Sequence, residues 1–363
     1  MRTKKWKAVL GAVCFVLPLA VPVLAQAQTQ AQTQAQTQAQ TQAQTLAQTQ
    51  AQTQAQAQPA SPAASAFPAK PVRILVGFTP GGGPDIVARA LAQKLSEVWK
   101  QPVTVENRPG AGGNIAAQAV ASAAADGHTL LSVTPGHAVA PAIYPKLPFD
   151  TAKDFSGITL TATGPALVIV SPQLNIKTLA QLIALAKVQP GKLNYSSAGI
   201  GSGSHFAGEL LRLQTGIDVV HVPFKGIPEA LTETMAGRIQ FFISPYASAI
   251  NLVKEGKARA IAVTGDTRMP DLPNVPTAME SGAPNYKWIF WYGLLAPANT
   301  PKAVLDQLNA EVRRALSAPD VKQRFTQLGI EPVTGSGEEF DKLIAEEIAS
   351  FTRIARAAHI KVE

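Results

Sequence analysis

Val76-Gly-Phe-Thr-Pro-Gly-Gly-Gly-Pro-Asp-Ile-Val-Ala-Arg89 reads as a strand end, a glycine-rich turn and the opening of a helix. A second stretch, Val105-Glu-Asn-Arg-Pro-Gly-Ala-Gly-Gly-Asn-Ile-Ala-Ala117, repeats that order. Such a junction leaves backbone N–H groups unpaired at a helix N-terminus, which suits an anion. Neither stretch is a P-loop, because no Gly-Lys-Ser/Thr follows. Nothing nearby supplies a nucleophile–base pair or a metal cluster. The two stretches therefore point to holding an anion rather than transforming one.

Outward from them, strands and helices alternate. Strands are expected at 72–78, 103–106, 129–134 and, after a long excursion, 166–170. Helices are expected at 85–99 and 114–124. The pattern restarts with helices at 178–188, 204–215, 228–235 and 249–255, separated by strands at 193–196, 219–222, 239–243 and 260–263. A strand at 286–295 and helices at 301–317, 320–328 and 337–358 complete it. This alternation predicts an α/β fold of parallel-rich sheets with crossover helices. Two lobes are expected, one from 67–168 plus 291–363 and the other from 169–290, with the ligand cleft between them.

The N-terminal part stands outside that fold. Arg2, Lys4, Lys5 and Lys7 precede an apolar stretch that is short for a membrane span, and small residues follow at Ala25 and Ala27. Residues 1–25 are read as a cleaved export signal, which takes the single cysteine, Cys14, with it. The formal charge of +8 then falls to +4. The remaining basic residues are scattered, which argues against nucleic acid. Residues 26–66, a Gln-Ala-Gln-Thr repeat followed by a Pro/Ala/Ser stretch, lack an apolar period and are read as a flexible tether.

Other constellations were weighed beside the two turns. Ser197-Ala-Gly-Ile-Gly-Ser-Gly-Ser204 is glycine-rich but lacks G-x-G-x-x-G spacing, and its hydroxyls suit either a carboxylate or a helix cap. Ser204-His205 is no catalytic pair, since helix neighbours point apart. The five histidines have no metal-ligand spacing, so no metal or cofactor is expected. Lys225, in Pro223-Phe-Lys-Gly226, is either a carboxylate partner or a solvated loop residue. Asp85 either caps its helix or faces a ligand. Trp288 and Trp291 either line the cleft or fill the core.

The same residues carry a family resemblance. Gly77-Phe-x-Pro-Gly-Gly-x-x-Asp85, the Val105–Asn114 motif, Ala125-Asp-Gly-His-Thr-Leu-Leu131 and Leu147-Pro-Phe-Asp150 resemble the Bug family. So do Pro190-Gly-Lys-Leu-Asn-Tyr195, His221-Val-Pro-Phe-Lys-Gly226 and Trp291-Tyr-Gly-Leu-Leu-Ala-Pro297. These are the extracytoplasmic solute receptors of tripartite tricarboxylate transporters. The resemblance implies a two-lobed, type II-like periplasmic binding protein, monomeric, without enzymatic activity. It would deliver a small carboxylate such as a di- or tricarboxylate or an aromatic acid to the membrane subunits of the transporter. A sensory receptor docking on a signalling protein is the alternative.

By position the resemblance places a carboxylate against Phe78, Thr79, Pro80, Gly81, Gly82, Gly83 and Asp85, held largely by backbone groups and ordered water. From the second lobe it brings Ser197, Ala198, Gly199 and Ser204, then Phe224, Lys225 and Gly226. Thr134 and His137, which depart from the commoner family pattern, and Ser244, which stands where many members carry an Asp, are further expected ligand contacts. If that Asp contacts amino or hydroxyl groups of a ligand, this chain should prefer ligands lacking them.

Overall fold

A computed structural model describes residues 40–42, 44–46 and 67–360. The chain divides into two units, Met1–Ser65 and Ala66–Glu363. In the first, the six described residues are helical rather than coil. Alanine and glutamine are both good helix formers, and the Gln/Ala repeat lacks glycine and proline. The signal at 1–25 and the rest of the tether lie outside the described residues.

The second unit is built on one sheet of ten strands. The order is β2 (Val103–Asn107), β1 (Val72–Val76), β3 (Thr129–Val133), β9 (Ile289–Pro297), β4 (Phe155–Val170), β7 (Phe241–Pro245), β5 (Asn194–Ser197), β6 (Val220–Pro223). Strands β8 (Arg259–Val263) and β10 (Glu331–Pro332) also pair with β4. Strands β2, β1 and β3 are parallel, as are β7, β5 and β6. Crossover helices join them: α1 (Gly83–Trp99) and α2 (Asn114–Ala121) in the first set, α5 (Gly203–Thr215) and α6 (Ile227–Met235) in the second. The expected α/β class is thus observed.

The antiparallel centre differs from expectation. β4 begins at Phe155, not at 166, and runs for 16 residues. Its first part pairs with β9, from Phe155↔Pro297 to Pro165↔Ile289. Its last five residues pair with β7 and β8. Gly157, Gly164 and Pro165 hid it, because they read as strand breakers. Pro165 is tolerated where the strand changes partners.

A helix, α3 (Pro135–Ile143), was also not expected, since Gly136 and Pro141 argue against one. Thr134 starts it, its Oγ1 accepting the Gly136 N–H at 3.3 Å. Helix α4 (Leu179–Val188) precedes β5, and α7 (Tyr246–Lys254) follows β7. Helices α8 (Lys302–Ser317), α9 (Pro319–Gln327) and α10 (Gly337–Ala357) close the chain.

Ser336 and Glu339 form a capping box on α10. This helix buries Phe340, Ile344, Phe351 and Ala355. Trp288 and Trp291 belong to the core, each 5% exposed. Trp291 is held edge-on by Phe340, with ring centroids 5.7 Å apart. Gly293 of β9 lets the Phe340 ring lie against the strand backbone, in space a Cβ would occupy. Gly293→Ala is therefore expected to destabilise the fold by about 1–3 kcal/mol, read as a lower urea midpoint. An unchanged midpoint would show that α10 is not pinned at this point.

Candidate ligand-binding site

Parallel strands place their connecting turns at their C-terminal ends, and ligands of open α/β sheets collect there. Both parallel sets obey this rule, and their turns meet. Gly77 and Phe78 after β1, Gly110, Ala111 and Gly112 after β2, and Tyr144 after α3 form one wall of a cavity. Ala198, Gly199 and Ile200 after β5, and Pro223, Phe224 and Lys225 at the end of β6, form the other. Its volume is about 280 Å³.

The two walls approach closely beside this cavity because glycines face each other. A Cβ on Gly112 would lie 2.7 Å from the Ile200 carbonyl oxygen, and one on Gly136 3.0 Å from the Gly201 oxygen. Tyr144 Oη donates to the Ile200 oxygen at 3.4 Å. At the other margin Gly226 lies against Thr79, leaving no room for a Cβ, and Gly82 faces Ile227 Cδ1. Thr79 Oγ1 is buried there without a protein hydrogen-bond partner.

The first glycine turn does not face the cavity as expected. Of Phe78 to Asp85, only Phe78 lines it; Thr79, Pro80, Gly81, Gly82 and Gly83 do not. Gly83 packs on the Tyr292 ring instead. Gly82, not Asp85, is the N-cap of α1, and Pro84 removes one donor from the first turn.

Asp85 is a brace. Its carboxylate, 3% exposed, accepts from the Gly81 N–H (3.0 Å), Arg89 Nε (3.0 Å) and Asn107 Nδ2 (2.9 Å). Burial pushes its pKa up, but these hydrogen bonds outweigh that and hold it below the usual carboxylate range. Asn107 Nδ2 also donates to the Phe78 carbonyl, and Arg89 donates to Asn107 Oδ1. One network thereby fixes Phe78 against the turn that follows β2.

The serines of the second turn are likewise committed. Ser197 Oγ accepts the Gly199 N–H and lies 2.6 Å from His221 Nε2. Ser204 Oγ accepts the Ala198 N–H at 3.0 Å and bonds Ser202 Oγ. Ser202, not Ser204, caps α5. His205 Nδ1 accepts the Gly201 N–H, and its ring stacks on His221 with centroids 4.0 Å apart. The hydroxyls shape the turn from behind and leave Ala198, Gly199 and Ile200 facing the cavity.

Lys225 and Phe224 do line the cavity, while Gly226 sits beside it against Thr79. Thr134 and His137 face a separate space of about 20 Å³ with Asn114 and Ser132, room for roughly one water. Ser244 is fully buried on β7, bonded to the Pro245 carbonyl, away from the cavity. Gly77, Gly110, Ala111, Gly112, Tyr144, Ile200 and Pro223 also line the cavity and were not among the expected contacts. The signal for three of them was the second quoted stretch, whose glycines sit at φ +132° (Gly110) and +64° (Gly112). Among the described residues, no group of acidic, histidine or cysteine side chains is placed to hold a metal.

Residues 87–360 match the family described as Tripartite tricarboxylate transporter family receptor, TctC. The chain belongs to this family. Its members are substrate-binding receptors rather than enzymes. BugT of Bordetella pertussis is 32% identical over 83% of this chain and 93% of its own length, so the expected Bug resemblance holds. Rpa4515 of R. palustris, solved with adipate, shares 33% identity at a TM-score of 0.78, over 81% of this chain and 99% of that one. MatC of Rhodopseudomonas palustris, solved with bound malate, shares 35% identity at a TM-score of 0.76, over 79% and 99%. The fold is therefore that of TctC/Bug periplasmic binding proteins. No described helix is long and apolar enough to cross a membrane.

Two buried histidines, His137 and His205, and the half-buried His221 make the fold acid-sensitive. Burial lowers the pKa of His137 and of His205 to about 4. Burial and the adjoining His205 lower that of His221 to about 2. From about pH 6.5 downward the unfolded chain binds protons that these sites refuse. Stability is thus full above pH 6.5 and falls toward pH 4, by about 1.4 kcal/mol per pH unit for each such proton. The urea midpoint should drop between pH 7 and 4.5, and His221→Gln should make the drop shallower. A flat profile would contradict this.

Proposed function

We propose that this chain is an exported receptor that captures a small carboxylate and passes it to the membrane subunits of a tripartite transporter. The observation that carries this reading is the cavity itself. Its walls come from the C-terminal ends of both parallel strand sets, and turns from the two sets meet around it. The two sets act as lobes, 67–168 plus 291–363 and 169–290, joined through β4 and β9. Residues 1–25 direct export to the periplasm, and the receptor works as a monomer.

Among the described residues, Lys225 carries the one charged side chain on the cavity wall. With backbone N–H groups of the Gly110–Gly112 turn and of Ile200, it supplies the positive potential a carboxylate needs. Adipate on one relative and malate on another support the carboxylate class. Binding holds the walls together, because the acid contacts both.

A carboxylate at 100 times its dissociation constant should raise the unfolding free energy by about 2.7 kcal/mol, visible as a thermal shift. Gly112→Val places a branched side chain against the Ile200 carbonyl and wedges the walls apart. It should weaken carboxylate binding at least tenfold, with the circular dichroism unchanged. Lys225→Met should weaken it less, because backbone donors share the charge. Unchanged affinity in both variants, or no thermal shift with any di-, tri- or aromatic carboxylate, would reject the reading.

A further inference from the structure

The side chains on the cavity wall are mostly apolar. Phe78, Tyr144 and Phe224 contribute three aromatic rings, with Ala111, Ala198 and Ile200 between them. Ile200 is 40% exposed although it borders a cavity between two packed walls. No acidic or amide side chain lines the space, and its single side-chain hydroxyl, Tyr144 Oη, donates to the Ile200 carbonyl. Several polar side chains nearby are turned to other work, whereas Thr79 Oγ1 at the margin is buried without a protein partner. Asp85 and Asn107 brace Phe78, and Ser197 and Ser204 hold the turn from behind.

Among the described residues, a ligand hydroxyl or ammonium buried here would lose its water and find no carboxylate or amide acceptor, with Tyr144 Oη the single side-chain oxygen on the wall. An apolar ligand body would cover Ile200 and the rings. Resting on the carboxylate reading above, we infer that this site selects acids whose body is apolar and free of hydroxyl and amino groups, aromatic monocarboxylates above all. The selectivity lies in the wall formed by Phe78, Tyr144, Ile200 and Phe224. It does not lie in Ser244, which is buried away from the cavity.

Titration calorimetry of the full chain with benzoate and with malate tests this, since the two acids have equal numbers of non-hydrogen atoms. Benzoate is expected to bind at least tenfold more tightly than malate, a difference of about 1.4 kcal/mol. Ile200→Asn, a change on a half-open loop, should weaken benzoate at least fivefold and narrow the gap. Malate binding as tightly as benzoate, or more so, overturns the inference and leaves the carboxylate reading standing. Ile200→Asn with an undiminished benzoate preference also overturns it, by placing the selectivity elsewhere. Binding of neither acid overturns the inference and counts against the carboxylate reading as well.

Discussion

Strand β4 is the constraint on which the rest of the molecule depends. Over its first part it bonds β9, and over its last five residues it bonds β7 and β8. It therefore joins the β2-β1-β3 set, reached through β9, to the β7-β5-β6 set. Ala166 to Val170 are all fully buried, so this junction is dry. A continuous hydrogen-bonded strand through a dry core fixes where each parallel set starts. The positions of their C-terminal turns follow, and the cavity lies between those turns.

What the turns then do depends on approach distance. Backbones meet at Gly112 and Gly136, and Gly226 makes room for the Thr79 side chain, because no Cβ stands in the way. Around these contacts, buried polar groups are used to hold shape rather than to meet a ligand. The Asp85–Arg89–Asn107 network ties the first turn to the second, and the Ser197–His221–His205 stack stiffens the turn after β5. The ligand surface left over is backbone and apolar side chain, with Lys225 at its edge. Under the proposed function, such a surface reads the shape and polarity of an acid's body more sharply than its charge.

Much of this was legible in the sequence. The strand–turn–helix repeats gave the parallel sets, Pro228 marked the start of α6, and the Bug motifs pointed to the family. The centre of the sheet was not legible. Gly157, Gly164 and Pro165 read locally as breaks, yet tertiary pairing on both sides of β4 overrides that preference. The site was half legible. Of the expected contacts, Phe78, Ala198, Gly199, Phe224 and Lys225 line the cavity. Thr79 to Gly83, Asp85 and the serines are not on its wall, and Asp85 and Ser197 each have a partner far along the chain. Nothing within the Gly81–Asp85 turn announces Asn107, and nothing within 197–204 announces His221.

The central claim is that the cavity bordered by Phe78, Gly112, Ile200 and Phe224 holds the acid. A crystal structure of the protein grown with a bound carboxylate tests it most directly. The account predicts density for the acid inside that cavity, its carboxylate within hydrogen-bond distance of backbone N–H groups or Lys225 Nζ and its body against the aromatic rings. Density for the acid at another place on the fold, with this cavity unchanged, would contradict it.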